Sequence, residues 1–213
     1  MNTHIRKAKL ADAEDFMFIK SQLSMSLVEG TSTKGGFLLG TDVETYRNFI
    51  QNEYCLVAEL DEKVIGFGII LSDMTLRKSE IWEKRKSANL FVNLEEYEPN
   101  HLCYFEQLAF LKGHRKSVII LSYSLLNWVF EQGYDTLFTT TVNKPILNLA
   151  AVSFIHAVGG VKAGNIDEFY PSIGQINSDI YLIESKTFFE KTALHPFYAF
   201  LEENKLKIPS ESL

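Results

Sequence analysis

The residues with the clearest chemical potential lie in the middle of the chain, where an apolar stretch leads into a basic turn and then a helix. Leu102–Phe110 alternates and carries aromatic side chains, which is typical of a half-buried strand. The turn at 112–116 reads KGHRK, and 118–130 is long and apolar enough for a buried helix. Ser117 is the predicted N-cap of that helix.

The basic turn places cations where a helix disfavours them. A helix N-terminus carries partial positive charge and is stabilised by anions. Here Lys112, His114, Arg115 and Lys116 surround that end, in a chain whose net charge is −6. A phosphate would pair with these side chains and with the free N–H groups of the first turn. Two interpretations stay open, a phosphate-binding site and a solvated basic turn.

A carboxylate, Glu106, stands on the predicted strand nine residues before Arg115. Its neighbours include Phe105 and Leu108, and apolar surroundings raise the pKa of a carboxyl group toward the range of a general base. The alternative is a Glu106 that faces solvent or pairs with a lysine. Tyr104 alternates with Glu106 on the same strand face and is interpreted as a packing or substrate-orienting residue.

The strand, turn and helix resemble the cofactor-binding segment of the GNAT superfamily, the acyl-CoA-dependent N-acyltransferases. In that family a strand ending in a Leu-Ala-Val-like run precedes the pattern Arg/Gln-x-x-Gly-x-Gly/Ala and a helix. Here 108–110 (LAF) matches the strand end and Arg115 matches the Arg. Val118 and Ile120 stand where the family has glycines, which allow a backbone to approach a pyrophosphate closely.

A second segment, 148–160, resembles the family pattern Asn-x-x-Ala-x-x-(aromatic or Leu)-Tyr-x-x-x-Gly-Phe. Ile155 replaces the Tyr and Gly160 replaces the Phe. The positions that match the pattern are Asn148, Ala151, Phe154 and Gly159.

The resemblance covers roughly residues 3–186 and implies a fold. The fold class is α/β (mixed α+β), a single GNAT-like domain over 1–213 with a central mixed twisted sheet of about seven strands flanked by helices. An insertion at about 72–100 and a C-terminal helical extension at about 188–213 depart from the family. The insertion is expected beside the acceptor site or in a dimer contact, which leaves a homodimer open.

The pattern of apolar residues and turn signals predicts the individual elements. Strands are predicted at 5–9, 54–60, 63–71, 102–110, 136–142, 158–166 and 179–184. Helices are predicted at 10–26, 42–51, 75–88, 118–130, 145–157 (started by Pro145) and 188–204 (interrupted near Pro196), with loops at 29–40 and 167–178.

The resemblance also implies site residues and a co-substrate, acetyl-CoA or another acyl-CoA. Glu106 is the expected base. Ile155 cannot donate a proton, and His156 points elsewhere on the helix. Tyr170 is the candidate acid because it lies on the predicted loop near the expected active-site side. The expected cofactor-binding residues are Leu108, Phe110, Arg115, Lys116, Ser117, Val118, Ile119, Ile120 and Asn148.

Composition excludes several classes of protein. A length of 213 residues with 46% hydrophobic and 23% charged residues suits one globular domain. The acidic balance argues against nucleic-acid binding, and no apolar run approaches the ~20 residues of a membrane span. Two cysteines and scattered histidines give no metal site or disulfide framework, so buried free thiols in a reducing cytoplasm are expected.

These observations lead to one main hypothesis, an N-acyltransferase that moves an acetyl or other acyl group from CoA to a primary amine. The amine belongs to a small molecule or to a protein. The alternative is a catalytically weak or inactive GNAT-fold module that binds a CoA ester or a protein partner. A third interpretation is a degenerate domain that dimerises through the insertion at 72–100.

Overall fold

The computed structural model describes residues 3–23, 30–33, 38, 40–170 and 173–206. Half of the loop predicted at 29–40, and residues 207–213 of the predicted extension, lie outside the described residues. In the described part of the chain, no helix is both long enough and apolar enough to cross a membrane.

The strands and helices alternate along the chain. The strands are β1 (His4–Lys7), β2 (Gly30–Ser32), β3 (Tyr54–Leu60), β4 (Lys63–Leu71), β5 (Asn89–Leu90), β6 (Leu102–Phe110), β7 (Thr136–Lys144), β8 (Ile146–Asn148), β9 (Val161–Tyr170) and β10 (Gly174–Glu184). The helices are α1 (Ala13–Gln22), α2 (Val43–Asn52), α3 (Asp73–Lys78), α4 (Glu80–Lys84), α5 (Arg115–Glu131), α6 (Leu149–Ala157), α7 (Ser185–Ala193) and α8 (Tyr198–Asn204).

Eight strands form one mixed sheet in the order β1-β3-β4-β6-β7-β10-β9-β5, one strand more than the sequence predicts. The additional strand is β5, which belongs to the insertion and pairs antiparallel with β9. Only β6 and β7 pair in parallel in this sheet. β2 and β8 form a separate parallel pair, so the predicted loop at 29–40 contains a short strand.

The hairpin of β3 and β4 is confirmed, with the bounds that the sequence predicts. Its two turn residues, Asp61 and Glu62, have φ of 49° and 63°, as the tight turns that suit strand twist require. The predicted close approach at the glycines of β4 is also present. A Cβ on Gly66 would lie 2.2 Å from the Phe110 ring, and one on Gly68 would lie 2.9 Å from Leu121 of α5.

Two apolar layers cover the sheet. On one face, α5 supplies fully buried residues such as Leu121 and Leu125, and Phe188 of α7 packs beside them. On the other face, Phe16 of α1 stacks on Phe67 of β4 at 4.0 Å between ring centroids. The predicted buried free thiols, Cys55 and Cys103, are confirmed.

The predicted start of α5 is wrong. The N-cap is His114, and Ser117 lies within the first turn, buried, where its Oγ shares a 2.7 Å hydrogen bond with Thr3 Oγ1. The partner of Ser117 is distant in sequence, so the local pattern gave no sign of it. Because the N-cap is His114, Arg115 and Lys116 are the first two residues of the helix.

The predicted start of α6 and the predicted loop at 167–178 are also wrong. Pro145 lies between β7 and β8, and α6 begins at Leu149 after the N-cap Asn148, whose side chain accepts from Ala151 N–H at 3.3 Å. β9 and β10 extend to a Tyr170–Gly174 pair. The polar residues at 165–178 resemble a loop in sequence because several of them face solvent or the cavity described below.

Candidate active site

The sheet opens between β6 and β7. The two strands pair from Leu102 and Thr136 to Phe105 and Thr139, and no further. At the last pair, Thr139 Oγ1 donates to Phe105 O at 3.0 Å. The remaining part of β6 is unpaired on this side, so its backbone polar groups face the gap. The gap opens into a cavity of about 1190 Å³.

Glu106 lies where β6 enters this gap, and it is a bulge residue. Phe105 pairs with Ile70 and Gln107 pairs with Ile69, so Glu106 has no opposite residue on β4. A bulge redirects side chains and breaks the alternation of a strand. The bulge interrupts the regular alternation between Tyr104 and Glu106, and both residues line the cavity.

A buried hydrogen-bond chain holds the strand next to the bulge. Tyr46 Oη donates to Gln107 Oε1 at 2.8 Å, and Gln107 Nε2 donates to Thr41 Oγ1 at 2.7 Å. All three residues are buried, so these bonds are shielded from water. The chain fixes α2 to β6 directly beside Glu106. Sequence reasoning missed it because Gln107 is far from both partners along the chain.

The surroundings of Glu106 raise the pKa of its carboxyl group. Burial is the largest cause, and the nearby Glu168 carboxylate adds to it, while a hydrogen bond with the Gln107 side chain and the charge of Lys84 act in the opposite direction. This is the direction that the sequence predicts from the apolar neighbours. A carboxylate with a raised pKa at a cavity wall has the properties of a general base.

A second carboxylate, Glu168 of β9, faces the same cavity and was not predicted. Its Oε1 lies 2.9 Å from Lys84 Nζ and accepts from Tyr170 Oη at 3.4 Å, and its Oε2 accepts from Ser178 Oγ at 3.5 Å. Lys84 comes from the insertion. The insertion thus contributes to the cavity wall. The signal that could have revealed Glu168 is the alternation of Ile166, Glu168 and Tyr170, which all line the cavity.

The predicted acid, Tyr170, lies in the cavity wall at the end of β9. Burial and the Glu168 carboxylate raise the pKa of its hydroxyl, which favours the protonated form. Ile155 also lines the cavity, whereas His156 does not: its Nδ1 lies 3.2 Å from Gly160 O. A Cβ at Gly160 would lie 2.3 Å from Ile155 Cγ2, which explains a glycine where the family pattern has Phe.

The predicted cofactor residues divide into two sets. Those that line the cavity are Leu108, Phe110, Arg115, Val118, Ile119 and Asn148. Lys116 is exposed to solvent, Ser117 is bonded to Thr3, and Ile120 is buried in the core under α5, so these three lie outside the cavity wall. Of the two residues that replace glycines, only Val118 borders the cavity.

The start of α5 has the electrostatics of an anion site. Its first turn holds no acidic residue, and its N-cap His114 makes no side-chain capping bond. The N–H groups of the first turn point out of the helix end by geometry. Gly113, with φ of +98°, provides the left-handed turn before the helix and has open space around it.

Two further features of the described residues bear on ligands. The buried Oγ1 of Thr141, a residue of β7 that lines the cavity, has no hydrogen-bond partner in the described part of the chain. Among the same residues, no group of three His, Cys, Asp or Glu side chains is arranged to hold a metal ion. The cavity therefore has an unsatisfied polar atom and no metal centre within the described ranges.

By sequence, no protein-family model and no curated protein matches the chain. Solved structures do match it by fold. The ribosomal-protein-S18-alanine N-acetyltransferase from Escherichia coli aligns over 100% of both chains, with a TM-score of 0.57 and 11% identity. An acetyltransferase of the GNAT family from Streptococcus pneumoniae aligns over 85% of this chain and 99% of its own, with a TM-score of 0.54 and 17% identity.

The PaiA N-acetyltransferase from Thermoplasma acidophilum, in complex with coenzyme A, aligns over 86% of this chain and 99% of its own, with a TM-score of 0.53 and 14% identity. At such identities the likeness concerns the fold. The chain therefore has the fold of the GNAT-family N-acetyltransferases, as its two sequence motifs predict.

Proposed function

We propose that the chain transfers an acetyl group, or another acyl group, from CoA to a primary amine. The observation that carries the proposal is the position of Glu106: it stands at the bulge where the sheet opens, in the same cavity as the basic start of α5. A carboxylate with a raised pKa and an anion site thus share one cavity. The resemblance of both sequence motifs to the GNAT superfamily supports the same reaction, and so does the fold.

The residues present fit an acyl-CoA. Arg115 and the first-turn N–H groups of α5 would hold the pyrophosphate. The unpaired edge of β6 and the unsatisfied Thr141 hydroxyl offer hydrogen bonds to the amides of a pantetheine arm. The cavity of about 1190 Å³ is larger than the roughly 300–1,000 Å³ of a site for a drug-sized ligand, which supports a ligand as large as an acyl-CoA.

The chain's own groups would move the protons. When bound, the CoA thioester supplies an activated acyl carbonyl. Glu106 takes one proton from the acceptor ammonium, so that the amine nitrogen can form a C–N bond as the C–S bond breaks. The second proton of the nitrogen is lost to solvent, and Tyr170 donates to the departing thiolate and is later reprotonated. The products are the amide, the free thiol of CoA and one proton released overall.

The acceptor is an amine of a small molecule or of a protein. The similar enzyme from Escherichia coli acts, by its name, on an alanine of ribosomal protein S18, which supports a protein amine as one class. The second candidate function is a module that binds an acyl-CoA without turnover. The observation that favours it is Ile155 in the cavity wall, where the family pattern has a proton-donating Tyr.

Thermal unfolding with and without acetyl-CoA, followed by an assay of thiol release with added amines, tests the proposal. A ligand that binds only the folded state at a hundredfold excess over its Kd stabilises by about 2.7 kcal/mol, which corresponds to roughly 5–11 °C in Tm for a domain of this size. A shift with thiol release supports the transferase, and a shift without release supports the binding module. No shift with acetyl-CoA or longer acyl-CoAs would contradict both.

A further inference from the structure

The part of the cavity next to Glu106 is walled by apolar side chains. We call it the acceptor half, defined by Glu106 and by the cavity-lining residues of the insertion, β7 and β9. Four stretches of the insertion contribute to it, at 76, 81–85, 90 and 94, and the stretch at 90 belongs to the added strand β5 at the sheet edge. Its apolar residues include Leu76, Ile81, Trp82, Leu94, Phe138 and Ile166.

Most of these side chains belong to one packed layer, so the wall is part of the core and is formed before any ligand binds. Leu76 and Phe138 are buried in the layer on the α1 face of the sheet, and Ile81, Trp82 and Leu94 pack against it. Such a wall favours an apolar ligand and disfavours the backbone N–H and C=O groups of a peptide, which would lose their bonds to water there.

The charges of the acceptor half almost cancel. Four charged residues line it: Lys84, Arg85, Glu106 and Glu168. Lys84 pairs with Glu168 at 2.9 Å, and Arg85 pairs with Glu98 at 3.2 Å. Glu106 takes part in no ion pair with a described residue. One carboxylate is therefore available to an incoming ammonium group.

We infer that the acceptor is a primary amine with a single positive charge on an apolar body, and that Lys84 sets this preference. Lys84 neutralises Glu168, so a ligand with a second cation finds no second free carboxylate and meets the Lys84 ammonium. Polyamines and basic peptides are disfavoured for that reason. The inference rests on the proposed function and adds to it a substrate class and a specificity residue.

The test compares matched amines in the thiol-release assay with acetyl-CoA. Hexylamine and 1,6-diaminohexane have the same carbon chain and differ in one ammonium group. 2-Phenylethylamine adds an aromatic body, and a peptide with an N-terminal alanine represents protein acceptors. We expect kcat/KM to be at least about tenfold higher for hexylamine than for the diamine, because one unpaired like-charge contact costs that much in a partly enclosed site. 2-Phenylethylamine should exceed the peptide.

The variant Lys84→Met keeps the aliphatic stem, removes the charge and leaves Glu168 free to bind a second ammonium. It should shift the ratio of kcat/KM values toward the diamine by about tenfold. Lys86→Met is the matched control. Lys86 lies on the same segment and pairs with Glu83, its side chain is 65% exposed, and it is not part of the cavity wall. The ratio of kcat/KM values for the two amines should therefore be the same in Lys86→Met as in the wild type. Lys84→Gln gives a second variant with the same expected direction if the first does not fold.

The outcomes separate the inference from the proposed function. A wild-type preference for the diamine or the peptide, or a ratio that neither Lys84 variant changes, would overturn the inference while acyl transfer stands. A protein stabilised by acetyl-CoA that acylates none of the four acceptors would overturn the inference and leave the binding module. A protein that shows neither stabilisation nor thiol release would overturn the proposed function as well.

Discussion

Two clusters of carboxylates in this molecule have opposite electrostatics. In the first, at the join of β1 and α1, one cation serves two acids. The Arg6 guanidinium donates to both oxygens of Asp12, at 2.7 Å and 3.0 Å, and to Glu59 at 2.8 Å. Burial alone would raise the pKa of Asp12, but the bonds from Arg6 and from Lys9 N–H outweigh it and hold the pKa below its ordinary value.

The second cluster is the one in the cavity. Here Glu106 and Glu168 share one cation, Lys84, and only Glu168 forms an ion pair with it. Burial and the neighbouring carboxylate raise the pKa of Glu106, so folding favours its neutral form. The same chemical group is therefore stabilised as an anion at one site and destabilised as an anion at the other.

The carboxylate of Asp12 stabilises the fold, whereas the carboxylate of Glu106 is available to a ligand. A carboxylate with all its partners in place contributes to stability and has no capacity for another ligand. A carboxylate without a cation partner costs stability when ionised, and it regains that energy only when a cationic substrate or a proton reaches it. This difference is what makes Glu106 a candidate base and Asp12 a structural residue.

Glu106→Gln should produce the largest effect. If Glu106 is the base, turnover falls by about 10²- to 10⁴-fold, while the rise in Tm caused by acetyl-CoA stays. Thiol-release kinetics and thermal unfolding measure the two properties. Asp12→Asn serves as the control from the first cluster, with turnover per folded molecule unchanged. Wild-type turnover in Glu106→Gln would rule out the base assignment.

The pH profile of the same pair of proteins sharpens this prediction. Because the pKa of Glu106 is raised, the wild type must lose kcat/KM as the pH falls through that raised value, where the base becomes protonated. The Glu106→Gln variant has no carboxyl group at this position. Its kcat/KM should therefore not fall in that pH range, so its profile should lack the acid limb of the wild type. An identical acid limb in both proteins would assign it to another residue.

Asp12→Asn should have the next largest effect, on stability. The substitution removes the charge from a bidentate pair in a partly buried setting and is expected to lower the free energy of unfolding by about 2 kcal/mol at neutral pH, or roughly 4–8 °C in Tm. Since the folded-state pKa of Asp12 is lowered, its contribution is lost as the pH falls through that value. Urea unfolding should therefore show the two proteins converging in acid; a difference that persists there would disprove the linkage.

Arg115→Ala should raise the KM for acetyl-CoA by about tenfold with little change in kcat, because Arg115 lines the cavity at the start of α5. Lys116→Ala provides the comparison. Lys116 has the same charge and the adjacent position but lies outside the cavity wall. Lys116→Ala should therefore raise the KM for acetyl-CoA by about twofold or less, because Lys116 acts only through the electrostatic field of the turn. Equal effects of the two substitutions would mean that the turn acts as a diffuse basic patch.

The sequence predicted the parts of the fold that local patterns determine. The β3–β4 hairpin, the strand β6 and the body of α5 follow from apolar periodicity and turn residues, and the fold class follows from their order. Leu108, Arg115 and Asn148 of the two motifs lie in the cavity wall, and their binding of a cofactor stays a prediction. These features depend on interactions within short segments.

The features that the sequence did not reveal depend on distant partners. The bulge at Glu106 is defined by its register with β4, and Ser117, the predicted N-cap of α5, lies inside the helix and shares a hydrogen bond with the distant Thr3. Lys84 and Glu168 lie 84 residues apart, the first in a segment predicted as a helix and the second in a segment predicted as a loop. Long-range pairing decides such details, and a single sequence does not record it.

Thr141→Val tests the smallest effect and contrasts two neighbours on one strand. The Thr141 hydroxyl is buried without a partner among the described residues, so its removal should leave Tm unchanged or slightly higher. If the hydroxyl binds the cofactor, the KM for acetyl-CoA should rise about threefold, the value of one neutral hydrogen bond. Thr140→Val is the control, because the Thr140 hydroxyl shares a 2.7 Å bond with Tyr104 and its loss should lower Tm. A lower Tm with an unchanged KM for Thr141→Val would make the hydroxyl a structural group, and the gap between β6 and β7 would then lack its proposed hydrogen bond to the pantetheine arm.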